Sequence, residues 1–87
     1  MRVENMSSTK TNNKIANQFI IKDGNRVFFQ SYRSIIVKIE DNKTYLDEYY
    51  WNYSRTTSKY RSSFLGESTK ETLNKIKNGE YILTNLN

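Results

Sequence analysis

Two apolar triplets, Phe19-Ile20-Ile21 and Val27-Phe28-Phe29, flank the polar stretch Lys22-Asp23-Gly24-Asn25-Arg26. Gly24 can enter the positive-φ region without a Cβ clash, so the spacing predicts a β-hairpin closed at Asp23-Gly24. A second pair follows: Ile35-Ile36-Val37-Lys38-Ile39 and Thr44-Tyr45-Leu46, joined by Glu40-Asp41-Asn42-Lys43. Both arms are rich in β-branched and aromatic residues, the side chains that fit a pleated, half-buried surface. A chain that reads in period two over its middle third must build on an antiparallel sheet. At 87 residues, with no Cys and so no disulfide staple, it must also close its core by packing alone. Hydrophobic residues make up only 36%, but the 14% that are aromatic bury large areas each, enough for one small domain.

The period changes in the last third. Ser68 and Glu71 have the spacing of a capping box and open a helix whose inward face carries Leu73 and Ile76. Lys75 and Lys77 place positive charge against its C-terminal dipole, and Gly79 supplies the left-handed stop. A shorter helix is expected over Thr57 to Leu65, capped by the Ser54–Ser58 hydroxyls and ended by Gly66, with Tyr60 and Phe64 inward and Lys59, Arg61 and Ser62 outward. Before it, alternation along Tyr45, Asp47, Tyr49 and Trp51 suggests a strand that runs to Trp51 and places Trp51 in the core. Tyr81-Ile82-Leu83-Thr84 returns as a final strand. The expected fold is α+β: a small antiparallel β-sheet of four or five strands with one or two short helices on one face. Residues 1–17 hold Ser7, Ser8, Thr9, Thr11, Asn12 and Asn13 with few apolar neighbours and read as a flexible polar arm, leaving 18–87 as a single domain.

The residue inventory excludes much chemistry. With no His and no Cys, the usual general base, the thiolate nucleophile and the commonest metal ligands are missing. Asp47 and Glu48 point to opposite faces of a strand and cannot flank one bond. Gly24, Gly66 and Gly79 are scattered and build no phosphate loop. A Ser54-Lys59 pair lacks any encoded oxyanion hole. No catalytic residue, cofactor site or metal site is therefore assigned, and the expected role is binding rather than catalysis. The longest apolar runs are far shorter than the ~20 residues that cross a bilayer, so a soluble cytoplasmic protein without a membrane partner is expected.

Lys and Arg number 14 against 9 Asp and Glu, a net charge of +5, which favours anionic partners. The segment from Tyr49 to Leu65 contains Arg55, Lys59 and Arg61 and no acid, interleaved with aromatic side chains. Arg55, Lys59, Arg61, Tyr32, Tyr49 and Tyr50 are the candidate partner-binding residues. The bland alternative is that the cations only keep a small domain soluble.

The run Trp51-Asn52-Tyr53-Ser54-Arg55-Thr56-Thr57-Ser58-Lys59-Tyr60-Arg61, with Phe64-Leu65-Gly66 behind it and Tyr32 and Leu46-Asp47 ahead, resembles a group of small proteins encoded by phages and plasmids of low-GC Gram-positive bacteria. These share an aromatic-Ser-x-Thr-Thr-x-Lys signature. The resemblance extends from about Phe28 to the C-terminus and leaves the polar arm outside. It implies a mobile-element setting in the bacterial host cytoplasm, where accessory proteins such as anti-CRISPR proteins block host defence. The implied partner is a host defence effector protein or ribonucleoprotein, bound stoichiometrically. Two alternatives stay open on the residues alone: a nucleic-acid-binding accessory protein, and a homo-oligomer associating through an aromatic face.

Overall fold

A computed structural model describes residues 1–8 and 13–87. The strands β1 (Arg2–Ser7), β2 (Lys14–Asp23), β3 (Arg26–Ser31), β4 (Ser34–Glu40) and β5 (Lys43–Asp47) follow one another along the chain. The helices α1 (Arg55–Leu65) and α2 (Thr69–Lys77) come next, and β6 (Tyr81–Thr84) ends the series. The strands form one sheet in the order β1-β2-β3-β4-β5-β6. All neighbours are antiparallel except β5 and β6, which run parallel, Leu46 opposite Leu83. The class is α+β as the sequence implies, but the sheet is six-stranded and mixed. The parallel pair arises because α1 and α2 carry the chain back to the starting end of β5 before the last strand begins.

The hairpins close where the turn residues stand. Gly24 takes φ +61° between β2 and β3, and Asp41 and Asn42 take +52° and +64° between β4 and β5. Asn25 donates to Asp41 at 2.9 Å and ties the two tips together.

The largest departure from the sequence reading is at the N-terminus. Arg2–Ser7 is not a flexible arm: it pairs with β2, Val3 opposite Ile21 and Asn5 opposite Phe19. Its partner begins at Lys14, within the span read as arm. The segment is polar because it is an edge strand, which needs one buried side chain rather than an apolar run. Met6 supplies it at 8% exposure. The rest of the assigned arm, 9–12, lies outside the described residues.

The core lies between the sheet and the two helices. Met6, Phe29, Ile36, Val37 and Leu46 are buried, with Ile20, Ile39, Trp51, Tyr60, Phe64, Leu65 and Ile76 packed against them. Phe29 stacks on Phe64 with ring centroids 5.6 Å apart. A bulge after Phe29 shifts the β3–β4 register, so Ile36 and Val37 are both buried.

The capping box on α2 is complete: Ser68 accepts from the Glu71 amide and the Glu71 carboxylate accepts from the Ser68 amide, both at 3.1 Å. Leu73 is more exposed than its spacing implies, at 37%, and the fully buried position on this helix is Thr72. Thr72 donates to Glu67 at 2.7 Å, and Lys75 and Tyr81 reach the same carboxylate at 3.0 and 2.6 Å. Glu67, 4% exposed at its side chain, thus clamps the α1–α2 link to α2 and β6.

Candidate functional site

The strand that the alternation carries to Trp51 in fact stops at Asp47, and Asp47 itself is the reason. Its carboxylate turns back to accept from the amides of Tyr49 and Tyr50, at 3.1 and 2.8 Å, and from the Leu86 amide at 2.8 Å. The chain from 48 to 54 therefore coils into turns, with Trp51 N–H bonded to the Asp47 carbonyl at 3.0 Å. This brings Tyr49, Tyr50 and Tyr53 into one cluster, centroids 4.7 to 5.8 Å apart. Tyr50 packs against the core, while Tyr49 and Tyr53 are 69% and 61% exposed.

The helix α1 begins two residues earlier than its spacing predicts, since Ser54 is the N-cap and accepts from the Thr57 amide at 3.1 Å. Thr57 is buried and its hydroxyl lies 3.2 Å from that of Ser31, which fixes the start of the helix to the end of β3. Between these elements opens a pocket of about 370 Å³. Its walls are Ser31, Tyr32 and Ser34 from the β3–β4 turn, Ser54, Thr56 and Thr57 from the helix start, and Tyr50 and Tyr53. Ile36 and the tyrosine rings make the lining mostly apolar, with the serine and threonine hydroxyls set into it. Gln18, cross-strand from Ser31, is fully buried, and its side-chain amide has no partner among the described residues.

Tyr32 sits at φ +56°, a region that costs a bulky residue roughly 1 to 2 kcal/mol. Its amide donates to the Asn17 carbonyl at 2.7 Å, which holds the backbone there, and its side chain stays 53% exposed at the edge of the pocket. The strain is not offset by burial.

The start of α1 carries positive charge. No acid stands in the first turn of α1, and Arg55 is its first residue. The positive end of the helix dipole therefore faces the same side as that cation. Lys59, four residues on, shares the helix face with Arg55 and lies exposed, its Nζ 5.2 Å from the Tyr60 ring centroid.

Arg61 corrects the set of candidate residues. It is 0% exposed and offers no contact surface. Its guanidinium donates to the Trp51 carbonyl, to Thr69 Oγ1 at 2.6 Å and to Asn52 Oδ1 at 3.3 Å, and it stacks 5.2 Å from the Trp51 ring. Burial lowers its pKa, with the Glu67 charge acting the other way. Arg61 and Trp51 together hold the tyrosine turn against α1 and α2. Of the expected residues, Tyr32 and Tyr50 line the pocket, Tyr49 contacts the Tyr50 and Tyr53 rings, and Arg55 stands in sequence between the lining residues Ser54 and Thr56, with Lys59 one helical turn away. Tyr53 is the member that sequence reasoning missed. Its signal was its place between Tyr50 and the Ser54 cap, in a segment too short of apolar residues to bury every aromatic.

A family model covers residues 1–80, almost the whole chain including the edge strand. The protein belongs to DUF8033, a family of unknown function. Comparison with curated proteins and with solved structures returns no match. Among the described residues of this DUF8033 chain, no helix is long and apolar enough to cross a membrane.

The carboxylates that shape the site give it an acid limit. For Asp47, burial alone would raise the pKa, but the Leu86, Tyr50 and Tyr49 amides and the Asn87 side chain together hold it below the ordinary 3.8. Burial likewise pushes Glu67 up, and the bonds from Tyr81, Thr72 and Lys75 bring it below 4.5. A depressed folded pKa contributes stability that is complete above the unfolded value and is lost as pH falls through the folded one. The urea midpoint is therefore expected to stay level from pH 7 to about 5 and to fall steeply below about 4. A D47N/E67Q double variant should be less stable at neutral pH and show a flatter acid limb. An unchanged acid limb in that variant would mean other carboxylates set the limit.

Proposed function

We propose that this DUF8033 protein works by stoichiometric binding, without catalysis, through the surface formed by Tyr32, Tyr49, Tyr50, Tyr53, Arg55 and Lys59. The observation that carries this reading is the exposed tyrosine cluster beside a mostly apolar pocket and the two exposed cations Arg55 and Lys59 of α1. Exposed, clustered tyrosines supply large contact area at small entropic cost, and exposed cations on the neighbouring helix steer an anionic partner. The strained Tyr32 backbone supports it, because strained positions that gain nothing from burial cluster at binding sites. In the mobile-element setting that the resemblance implies, the partner is an acidic face of a host defence effector or ribonucleoprotein, and binding blocks it in the manner of an anti-CRISPR protein.

The test is a Y49A/Y53A/R55E/K59E variant that leaves Arg61 in place. All four side chains are exposed, and a glutamate at the first residue of α1 suits the helix dipole, so the melting temperature should hold. Affinity for a purified CRISPR effector complex from a low-GC Gram-positive host should fall about a hundredfold or more, a loss of several contacts of hot-spot size. Full inhibition by this folded variant would remove the surface from consideration.

A second reading, single-stranded nucleic acid, is favoured by the exposure of Tyr49 and Tyr53 in a segment that continues into Arg55. It requires wild-type binding to a free oligothymidylate, with log K falling against log salt by about 0.7 for each phosphate neutralised. Two contacting cations give a slope near −1.4 on that rule.

A further inference from the structure

The helices cover one face of the sheet only. The other face carries a row of side chains in direct cross-strand register: Val3, Ile21, Phe28, Lys38, Tyr45 and Ile82, one from each strand. None of them belongs to the core cluster, and Val3 and Ile82 are 54% and 40% exposed. The neighbouring row, toward the hairpin tips, is Asp23, Arg26, Glu40 and Lys43 from β2 to β5, alternating in sign.

Order and sign together make this face complementary to itself. A two-fold axis parallel to the strands and midway between β3 and β4 lays β1 over the second copy's β6, β2 over its β5 and β3 over its β4. Row positions along the strands are preserved. Asp23 then meets Lys43 and Arg26 meets Glu40, opposite charges at every facing pair. In the apolar row Val3 meets Ile82, Ile21 meets Tyr45, and Phe28 meets Lys38, a ring facing an ammonium group. Each contact occurs twice, as an isologous interface requires.

We propose that the helix-free sheet face is a homodimer interface in which two copies pack face to face about this axis. This does not rest on the tyrosine surface, which lies at the end of the sheet away from the charged row. Single-stranded nucleic acid fits the face less well, because Lys38 Nζ already sits 4.8 Å over the Tyr45 ring and covers a stacking platform.

Analytical ultracentrifugation of the full chain should give twice the 10.4 kDa chain mass at micromolar concentration. F28K, which sets two ammonium groups against each other, should raise the dissociation constant about a hundredfold while circular dichroism stays unchanged. A second measurement covers the case that F28K does not fold. The chain has no cysteine, so D23C chains can be mixed with K43C chains and treated with a short bis-maleimide. The axis requires that the mixture cross-links into dimers and that neither variant does so alone, since three strand spacings of about 4.8 Å separate like positions. A monomeric wild type throughout the micromolar to millimolar range would overturn the proposal. So would a folded, still dimeric F28K, cross-linking of either variant alone, or a monomer that binds an oligothymidylate through Phe28.

Discussion

Replacing Arg61 by alanine is expected to cost about 3 to 5 kcal/mol, most or all of the stability of a domain this size. The side chain is fully buried and satisfies the Trp51 carbonyl, Asn52, Thr69 and the hydroxyls of Ser58 and Ser62. Truncation leaves those acceptors facing a cavity and removes the cation from the Trp51 ring. Lysine should rescue little, because one ammonium cannot reproduce a planar fork that reaches both the Trp51 turn and Thr69 on α2. The reading is a urea titration followed by Trp51 fluorescence. R61A should be unfolded or have a melting temperature lower by more than about 15 °C, whereas R55A and K59A, both exposed, should stay within about 0.5 kcal/mol of wild type. Equal, small effects at all three positions would contradict the buried placement of Arg61.

The second large effect is at the N-terminus. Deleting residues 1–8 removes β1 from the sheet, withdraws Met6 from the core and leaves the apolar side chains of β2 on a new edge. Losing Met6 burial alone is worth about 1.5 to 3 kcal/mol, and the lost ladder bonds add roughly 0.5 to 1.5 kcal/mol each, partly offset by the freedom the released strand regains. A fall in melting temperature of about 10 °C or more is expected for a domain of this size. A Met6→Ser variant in the full chain separates the two contributions, since it keeps the ladder and loses only the buried side chain. Unchanged melting in the deleted chain would return these residues to the status of a loose arm.

These two positions mark where the sequence stopped being legible. The hairpins around Gly24 and Asp41-Asn42 and the helix opened by Ser68 and Glu71 could be read because each has a local signal: a turn residue needing positive φ, or a cap at fixed spacing. The edge strand β1 has no such signal. Its pairing is dictated by β2, and one methionine in six residues is too weak a pattern to outweigh a polar composition. The arginine side chain argues for an outward Arg61, yet the residue falls four residues after Thr57 and three before Phe64, on the helix stripe that packs inward. Of the site, Tyr32, Tyr49, Tyr50 and Arg55 were visible as an aromatic and basic cluster. The pocket beside them was not, because it depends on Asp47 ending β5 early and on the end of β3 meeting the start of α1.

The Asp47 carboxylate joins the turn that follows β5 to the segment just beyond β6. One oxygen holds the tyrosine turn at Tyr49 and Tyr50, the other holds Leu86 just beyond β6, and Asn87 continues the tie by bonding both backbone groups of Ile35. The final strand is four residues long and reaches its neighbour across an interval that contains both helices. Such a segment opens first when a small protein fluctuates, since its pairing must close a long loop for few bonds. Each opening frees one oxygen of Asp47 and slackens its grip on the tyrosine turn. The lifetime of the tyrosine turn is thereby expected to follow the fraying of the C-terminal strand, and amide exchange at Tyr49 and Tyr50 should keep time with exchange at Leu83 and Leu86.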